Sequence, residues 1–206
     1  MILSVVAAIA GAYLLGNLNG AIIASRLYAH EDVRKKGSGN AGLTNFVRSF
    51  GAGKALLVVL LDVGKTVLAC LLGRLLLKPY GEGTTGAVIA AVAVSLGHDF
   101  PAFFGFKGGK GVMCGATVAA VLDIRCFLIL LIIFFVCFAI TRYVSLSSVL
   151  AAIGFGISFA VVYRGDLLLQ FCTAFIGTLA VFMHRGNIKR LLSGTERKFS
   201  FGKKEK

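Results

Sequence analysis

The sequence predicts an all-α fold, a polytopic bundle of about seven transmembrane helices, on three observations. Hydrophobic residues fill 57% of the 206 positions and charged ones only 15%, where soluble domains carry about 25%. Two long stretches, 2–25 and 144–163, contain no acidic or basic side chain, and a soluble core of this size has no need of such runs. The basic residues, 22 Lys and Arg against 9 Asp and Glu, collect mainly at 26–54 and 185–206. This pattern excludes a soluble enzyme, a disordered chain and a disulfide scaffold, and leaves an integral membrane protein.

The apolar segments follow one another at 2–25, 55–77, 85–97, 111–122, 126–141, 143–163 and 167–183. No basic residue precedes the first and a basic loop follows it, so the N-terminus is expected outside and the segment is a retained span, not a cleaved signal. Parity then places loops 26–54 and 98–110 and the tail 184–206 in the cytoplasm, and 78–84, 123–125 and 164–166 outside. The outer loops agree, holding only Lys78, Arg125 and Arg164 against Glu82, Asp123 and Asp166. Segments 85–97 and 111–122 fall short of the roughly 20 residues of a perpendicular span, and read as short spans or as a re-entrant pair. No linker, repeat or low-complexity tract divides the chain, so residues 1–206 read as one domain. The 26 glycines suit closely packed membrane helices. Cys70, Cys114, Cys126, Cys137 and Cys172 lack CxxC spacing and read as small buried hydrophobes. The net charge of +13 suits anionic lipid headgroups; nucleic acid is not expected, because no recognition module flanks the basic stretches.

Three polar segments, all on the expected cytoplasmic side, carry the groups able to do chemistry. The first runs from Val33 to Asn45, with Arg48 beyond it. Its Gly37, Gly39 and Gly42 spell GxGxxG, but no βαβ unit surrounds them, so a dinucleotide fingerprint is excluded. Glycines let backbone amides approach an anion, Ser38, Asn40, Thr44 and Asn45 add neutral hydrogen-bonding groups, and Arg34, Lys35 and Lys36 supply charge. The second segment, Gly97 to Gly111, contains His98 and ends Lys107-Gly108-Gly109-Lys110-Gly111. Two ammonium groups around a bare backbone at the start of a helix suit a phosphate. It is not a Walker loop, and Gly64-Lys65-Thr66 lacks the first glycine of one, so ATP is not expected. In the third segment, His184 and Asn187 share a helix face at the membrane boundary, a basic tail follows, and Glu196 reads as a structural ion-pair partner. Within the apolar segments, Asp62 and Lys65 stand three residues apart, as a structural pair or with Asp62 as a general base.

Basic glycine loops with one His and several amides, but no carboxylate cluster, imply an anionic substrate handled without a metal or other cofactor. The thioester-acyltransferase pattern of His with Asp five residues on is absent after His30, His98 and His184. A transporter or channel for a phosphorylated metabolite is the rival reading, but it calls for repeat symmetry and ionisable groups along a path to the outside.

The three segments together, Gly37 to Asn45 with Arg48, Gly97-His98 through Phe100-Pro101 to Gly111, and His184-Arg185 with Asn187-Ile188 and Glu196, closely resemble the bacterial acyl-phosphate:glycerol-3-phosphate acyltransferase family. The resemblance spans the chain. Two departures are Asn17-Leu18-Asn19-Gly20 in place of a Ser-Ile-Pro type turn, and Val112-Met113-Cys114 where Val-Ala-Thr is common. The resemblance implies acyl transfer from acyl phosphate to the 1-hydroxyl of glycerol 3-phosphate, giving lysophosphatidate and phosphate. It also implies a multi-pass protein of the bacterial plasma membrane, and a partner enzyme that supplies acyl phosphate. The functional positions it implies are Ser38, Arg48, His184 and Asn187 for catalysis and the loop Gly105 to Gly111 for glycerol phosphate. Gly37, Gly39, Asn40, Thr44, Asn45, His98, Lys107, Gly108, Gly109, Lys110 and Gly111 are the expected substrate-binding residues.

Overall fold

The computed structural model describes residues 1–199; Lys203, Lys204, Glu205 and Lys206 of the basic tail lie outside the described residues. Among the described residues there are helices and turns but no strand, and the chain forms two compact units, Met1–Cys114 and the part from Gly115 onward. Five helical stretches are long and apolar enough to cross a membrane, or six if one bent pair counts as a single span. The protein is a multi-pass membrane protein.

In the first unit, α1 (Ile2–Gly16), α4 (Ala55–Leu77) and α5 (Gly83–Asp99) pack pairwise, while α2 (Gly20–Ala29) lies on α4 and α3 (Leu43–Phe50) on α2. Small residues permit this closeness. Ala12, Ala69, Ala90, Ala93 and Val94 form the seam. Gly73 and Gly86 bring α4 and α5 into backbone contact, where a Cβ on either would overlap the other's carbonyl.

The expected unbroken run 2–25 is interrupted. The helix stops at Gly16 and restarts at Gly20, although the whole of Ile2–Ala29 is apolar enough to span. Two buried asparagines explain the break. Asn19 Oδ1 accepts the amide of Ile22 at 3.0 Å and so caps α2. Asn17 donates to the Tyr13 carbonyl at 2.7 Å and accepts the Phe103 amide at 3.0 Å. Such side chains offer the backbone partners that compete with a continuous helix.

Segment 85–97 is not half-length: α5 with the turn Ala102–Phe104 makes a 22-residue stretch, which corrects the expectation of a short or re-entrant segment there. The other short segment remains short, as α6 (Val112–Leu122, 11 residues). In the second unit, α8 (Val144–Val162) packs on both α7 (Ile124–Thr141) and α9 (Leu167–Met183). Large apolar side chains on α7 such as Ile132 and Ile140 are exposed, as lipid permits. Asp123 caps α7, gripped by Arg125 and by the Tyr163 hydroxyl at 2.7 Å; these bonds hold its carboxyl well below the usual range. Asp166 caps α9 by accepting the Leu169 amide. A bend of 55° then separates α9 from α10 (Arg185–Leu192).

The backbone contact at Gly73 and Gly86 predicts that Gly86→Val lowers stability by about 1–3 kcal/mol. Gly64→Ala, where a Cβ meets nothing within 4 Å, should lower it little or not at all. Thermal unfolding of the purified variants in detergent measures the contrast.

Candidate active site

The first two polar segments lie in the first unit and are built from the same anchors. A buried cluster of Ile22, Val33, Ala41, Phe46 and Val58 fastens residues 33–50 to α2 and α4. Asn19 adds a tie by donating to the Ala41 carbonyl at 3.1 Å. The loop itself is organised by Asn45, which is buried. Its amide nitrogen reaches the carbonyls of Val33, Lys36 and Asn40 at 3.1, 3.1 and 2.9 Å, and its oxygen accepts the Ser38 amide at 2.8 Å. Asn45 therefore shapes the loop from within instead of facing a ligand. Gly37 must be glycine here, because its φ is +57° and a Cβ would overlap the Asn45 side chain. The result leaves Ser38 and Gly39 exposed at the loop tip, Asn40, Thr44 and Arg48 half-buried behind it, and α3 starting at Leu43.

Arg34 joins this loop to the next. Its Nη1 donates to the carbonyls of Phe104 at 2.6 Å and Lys107 at 3.0 Å. Its Nε and Nη2 grip both oxygens of Asp32 at 3.0 and 2.8 Å. The two-pronged bond fixes the plane of the guanidinium. Arg34 holds the Asp32 carboxyl well below the usual carboxylate range, with Arg26 adding a bond at 3.1 Å. Arg26 and Arg34 also flank the ring of Phe104, at 5.1 and 5.9 Å from its centroid.

The second loop folds back onto the end of α5. The amides of Gly108 and Gly109 donate to the carbonyls of Asp99 and His98, both at 3.1 Å, so these two N–H groups are not available to a phosphate. The role left to the pair is to let the backbone lie flat on α5. A Cβ at Gly109 would overlap the His98 ring. His98 is correspondingly buried beneath the loop, with Nδ1 2.8 Å from the Lys65 ammonium, and does not stand at the surface as a ligand. Lys107 is exposed, Lys110 is half-buried, and Gly111, with φ of +70°, ends the loop before α6.

The third segment belongs to the second unit. His184 is buried at the end of α9, with Nδ1 donating to the Ala180 carbonyl at 2.7 Å, which makes Nε2 the acceptor of the neutral ring. Asn187 and Arg190 on α10 both donate to Glu196 at 2.7 Å, and Glu196 thereby fixes the first turns of α10. Burial pushes the Glu196 carboxyl up, but Ser145, Asn187 and Arg190 around it outweigh burial and hold it below its ordinary value.

Residues 6–194 match the family described as glycerol-3-phosphate acyltransferase. This chain belongs to that family. Within it, the glycerol-3-phosphate acyltransferases of Thermoanaerobacter sp. (strain X514) and Clostridioides difficile (strain 630) are each 41% identical to the chain, over 91% of its length and 91% of theirs. Two crystal structures of PlsY, an integral membrane glycerol 3-phosphate acyltransferase, are similar throughout. The glycerol 3-phosphate form superposes with a TM-score of 0.86 and the lysophosphatidic acid form with 0.83, each at 34% identity and with 96% of both chains covered.

From sequence Arg34 stands only for charge and Asn17 and Asn19 only for a departure from a turn pattern; in the structure Arg34, fixed by Asp32, links the two loops, and the asparagines lie at the break after α1. The Asp-x-Arg spacing was a legible sign of a local ion pair, and two Asn inside an uncharged apolar run were a legible sign of a break. Asn45→Ala should lower stability by about 1–3 kcal/mol, because three loop carbonyls and the Ser38 amide lose their partner together. Thermal unfolding of the purified variant checks it; an unchanged midpoint would mean that Asn45 does not shape the loop.

Proposed function

We propose that this protein transfers a fatty acyl group from acyl phosphate to the 1-hydroxyl of glycerol 3-phosphate, releasing lysophosphatidate and inorganic phosphate. The observation that carries the reading is the Arg34 clasp, which makes the two basic, glycine-bearing loops a single polar surface at one end of apolar helices. A headgroup and a greasy chain need those two environments side by side. The forms in which the related PlsY was crystallised, with glycerol 3-phosphate and with lysophosphatidic acid, support the acceptor and the product.

In this reading Lys107 and Lys110 hold the phosphate of the acceptor. Arg48, Ser38 and Asn40 hold the phosphate of the donor and stabilise negative charge developing at its carbonyl, with Gly37, Gly39 and Thr44 setting the loop around them. His184 and Asn187 orient the attacking hydroxyl. The hydroxyl oxygen bonds to the acyl carbon, the carbon–oxygen bond to phosphate breaks, and the hydroxyl proton passes to a phosphate oxygen. A mixed anhydride has a good leaving group, so positioning and charge stabilisation do the work without a strong protein base. In this reading Asp62 is not the base, since its side chain is only 3% exposed and its Oδ1 accepts the Gly20 amide at 3.1 Å and the Lys65 ammonium at 2.8 Å.

The same reading places the protein in the bacterial plasma membrane, with its loops in the cytoplasm, its N-terminus outside and its tail near anionic lipid. In this reading a partner enzyme supplies the acyl phosphate. Purified protein should make lysophosphatidate from acyl phosphate and labelled glycerol 3-phosphate, and not from acyl thioesters. Glycerol phosphate uptake into sealed vesicles, without product, would point to a transporter instead. Lys107→Ala should raise KM for glycerol 3-phosphate with little change in protein yield, and His184→Ala should lower kcat by about 10²-fold. Unchanged turnover in His184→Ala removes the imidazole from the scheme.

A further inference from the structure

Among the described residues, a buried ion pair on α4 reaches the loop that holds Lys107 and Lys110. Asp62 and Lys65 on α4 have side chains only 3% and 2% exposed, with the charges 2.8 Å apart. Lys65 Nζ also reaches the carbonyls of Gly16 and Leu18 at 3.2 and 2.9 Å, and His98 Nδ1 at 2.8 Å. It thus ties three elements together: the break between α1 and α2, the body of α4 and the last turn of α5. An ammonium can only donate, so Nδ1 of His98 is its acceptor and the ring proton lies on Nε2, the edge that faces Gly109. The carbonyls of His98 and Asp99 in turn receive the amides of Gly109 and Gly108, directly between Lys107 and Lys110.

We propose that Lys65, oriented by Asp62 and acting through His98, is a positioning residue that sets the height and tilt of the Lys107–Lys110 loop for the phosphate of the acceptor. The proposal rests on the transferase reading above. A purely structural ion pair in such a setting is replaceable, because apolar residues of similar volume often leave stability unchanged or raise it. A positioning pair is not replaceable, because an apolar substitute leaves the His98 ring without its register partner. The consequence is selective, since only the loop resting on His98 depends on the ring.

The test uses full-length protein in lipid nanodiscs, comparing wild type with the double variant Asp62→Asn plus Lys65→Met. The double variant also leaves the Gly16 and Leu18 carbonyls without Lys65, so its unfolding midpoint should fall; in the folded variant KM for glycerol 3-phosphate should rise about tenfold or more, with KM for acyl phosphate and kcat within about threefold. Lys65→Arg, which keeps the charge but not the point geometry, covers the case in which the double variant does not fold, and should give the same selective rise. An unchanged KM for glycerol 3-phosphate in whichever of these variants folds overturns the proposal. A parallel decline for both substrates also overturns it. Wild type that transfers no acyl group from any donor would sink the transferase reading instead, a result distinct from either.

Discussion

A helix that breaks within an apolar layer leaves carbonyls that water cannot reach, and the protein must supply their partners. Here the break falls at residues 17–19, and the partner is a buried ammonium. Lys65 takes the carbonyls of Gly16 and Leu18, while Asp62 balances its charge and accepts the first amide of α2. Several polar contacts of the first unit start at or beside the break. Asn17 reaches from the break to the Phe103 amide, Asn19 to the Ala41 carbonyl, and His98 stands on Lys65 itself. The first loop meets the break through Asn19 and only the second rests, through His98, on Lys65.

The loops then gain rigidity from side chains turned inward. Asn45 fills the first loop with its own amide, and Arg34 crosses to the second while Asp32 fixes its orientation. Their hydrogen bonds are spent largely within the protein. These side chains leave Ser38 and Lys107 exposed on a backbone held from within, and a preorganised backbone is the condition under which charge stabilisation is most effective. The glycines at 37 and 109 belong to the same arrangement: they admit the side chains of Asn45 and His98.

The membrane fold was legible because lipid imposes it on composition. Uncharged apolar runs such as 144–163 have no other stable environment, and the helices follow them closely. The broken first helix was not legible from hydropathy, since Asn17 and Asn19 barely dent a window average; their effect is local hydrogen bonding. The length of α5 was underestimated for a related reason: His98 and Asp99 look like loop residues until the groups packed around His98 are known. Within the polar segments, sequence does not divide the groups that build the loops from those that do not. Asn45 and His98 have the chemistry of ligands, and only burial and partners assign them to support. Arg34 was hidden among neighbouring basic residues, and its distinction lies in two carbonyls about seventy positions away.

The central claim is that the two loops act as one phosphate cradle because Arg34 holds them together. Equilibrium binding of labelled glycerol 3-phosphate to wild type and to Arg34→Lys, at equal salt, tests it most directly, since the lysine keeps the charge and loses the planar fork. The account predicts affinity lower by about tenfold with the fold intact. Equal affinity in the two proteins would contradict it, and would mean that the loops bind independently of the clasp.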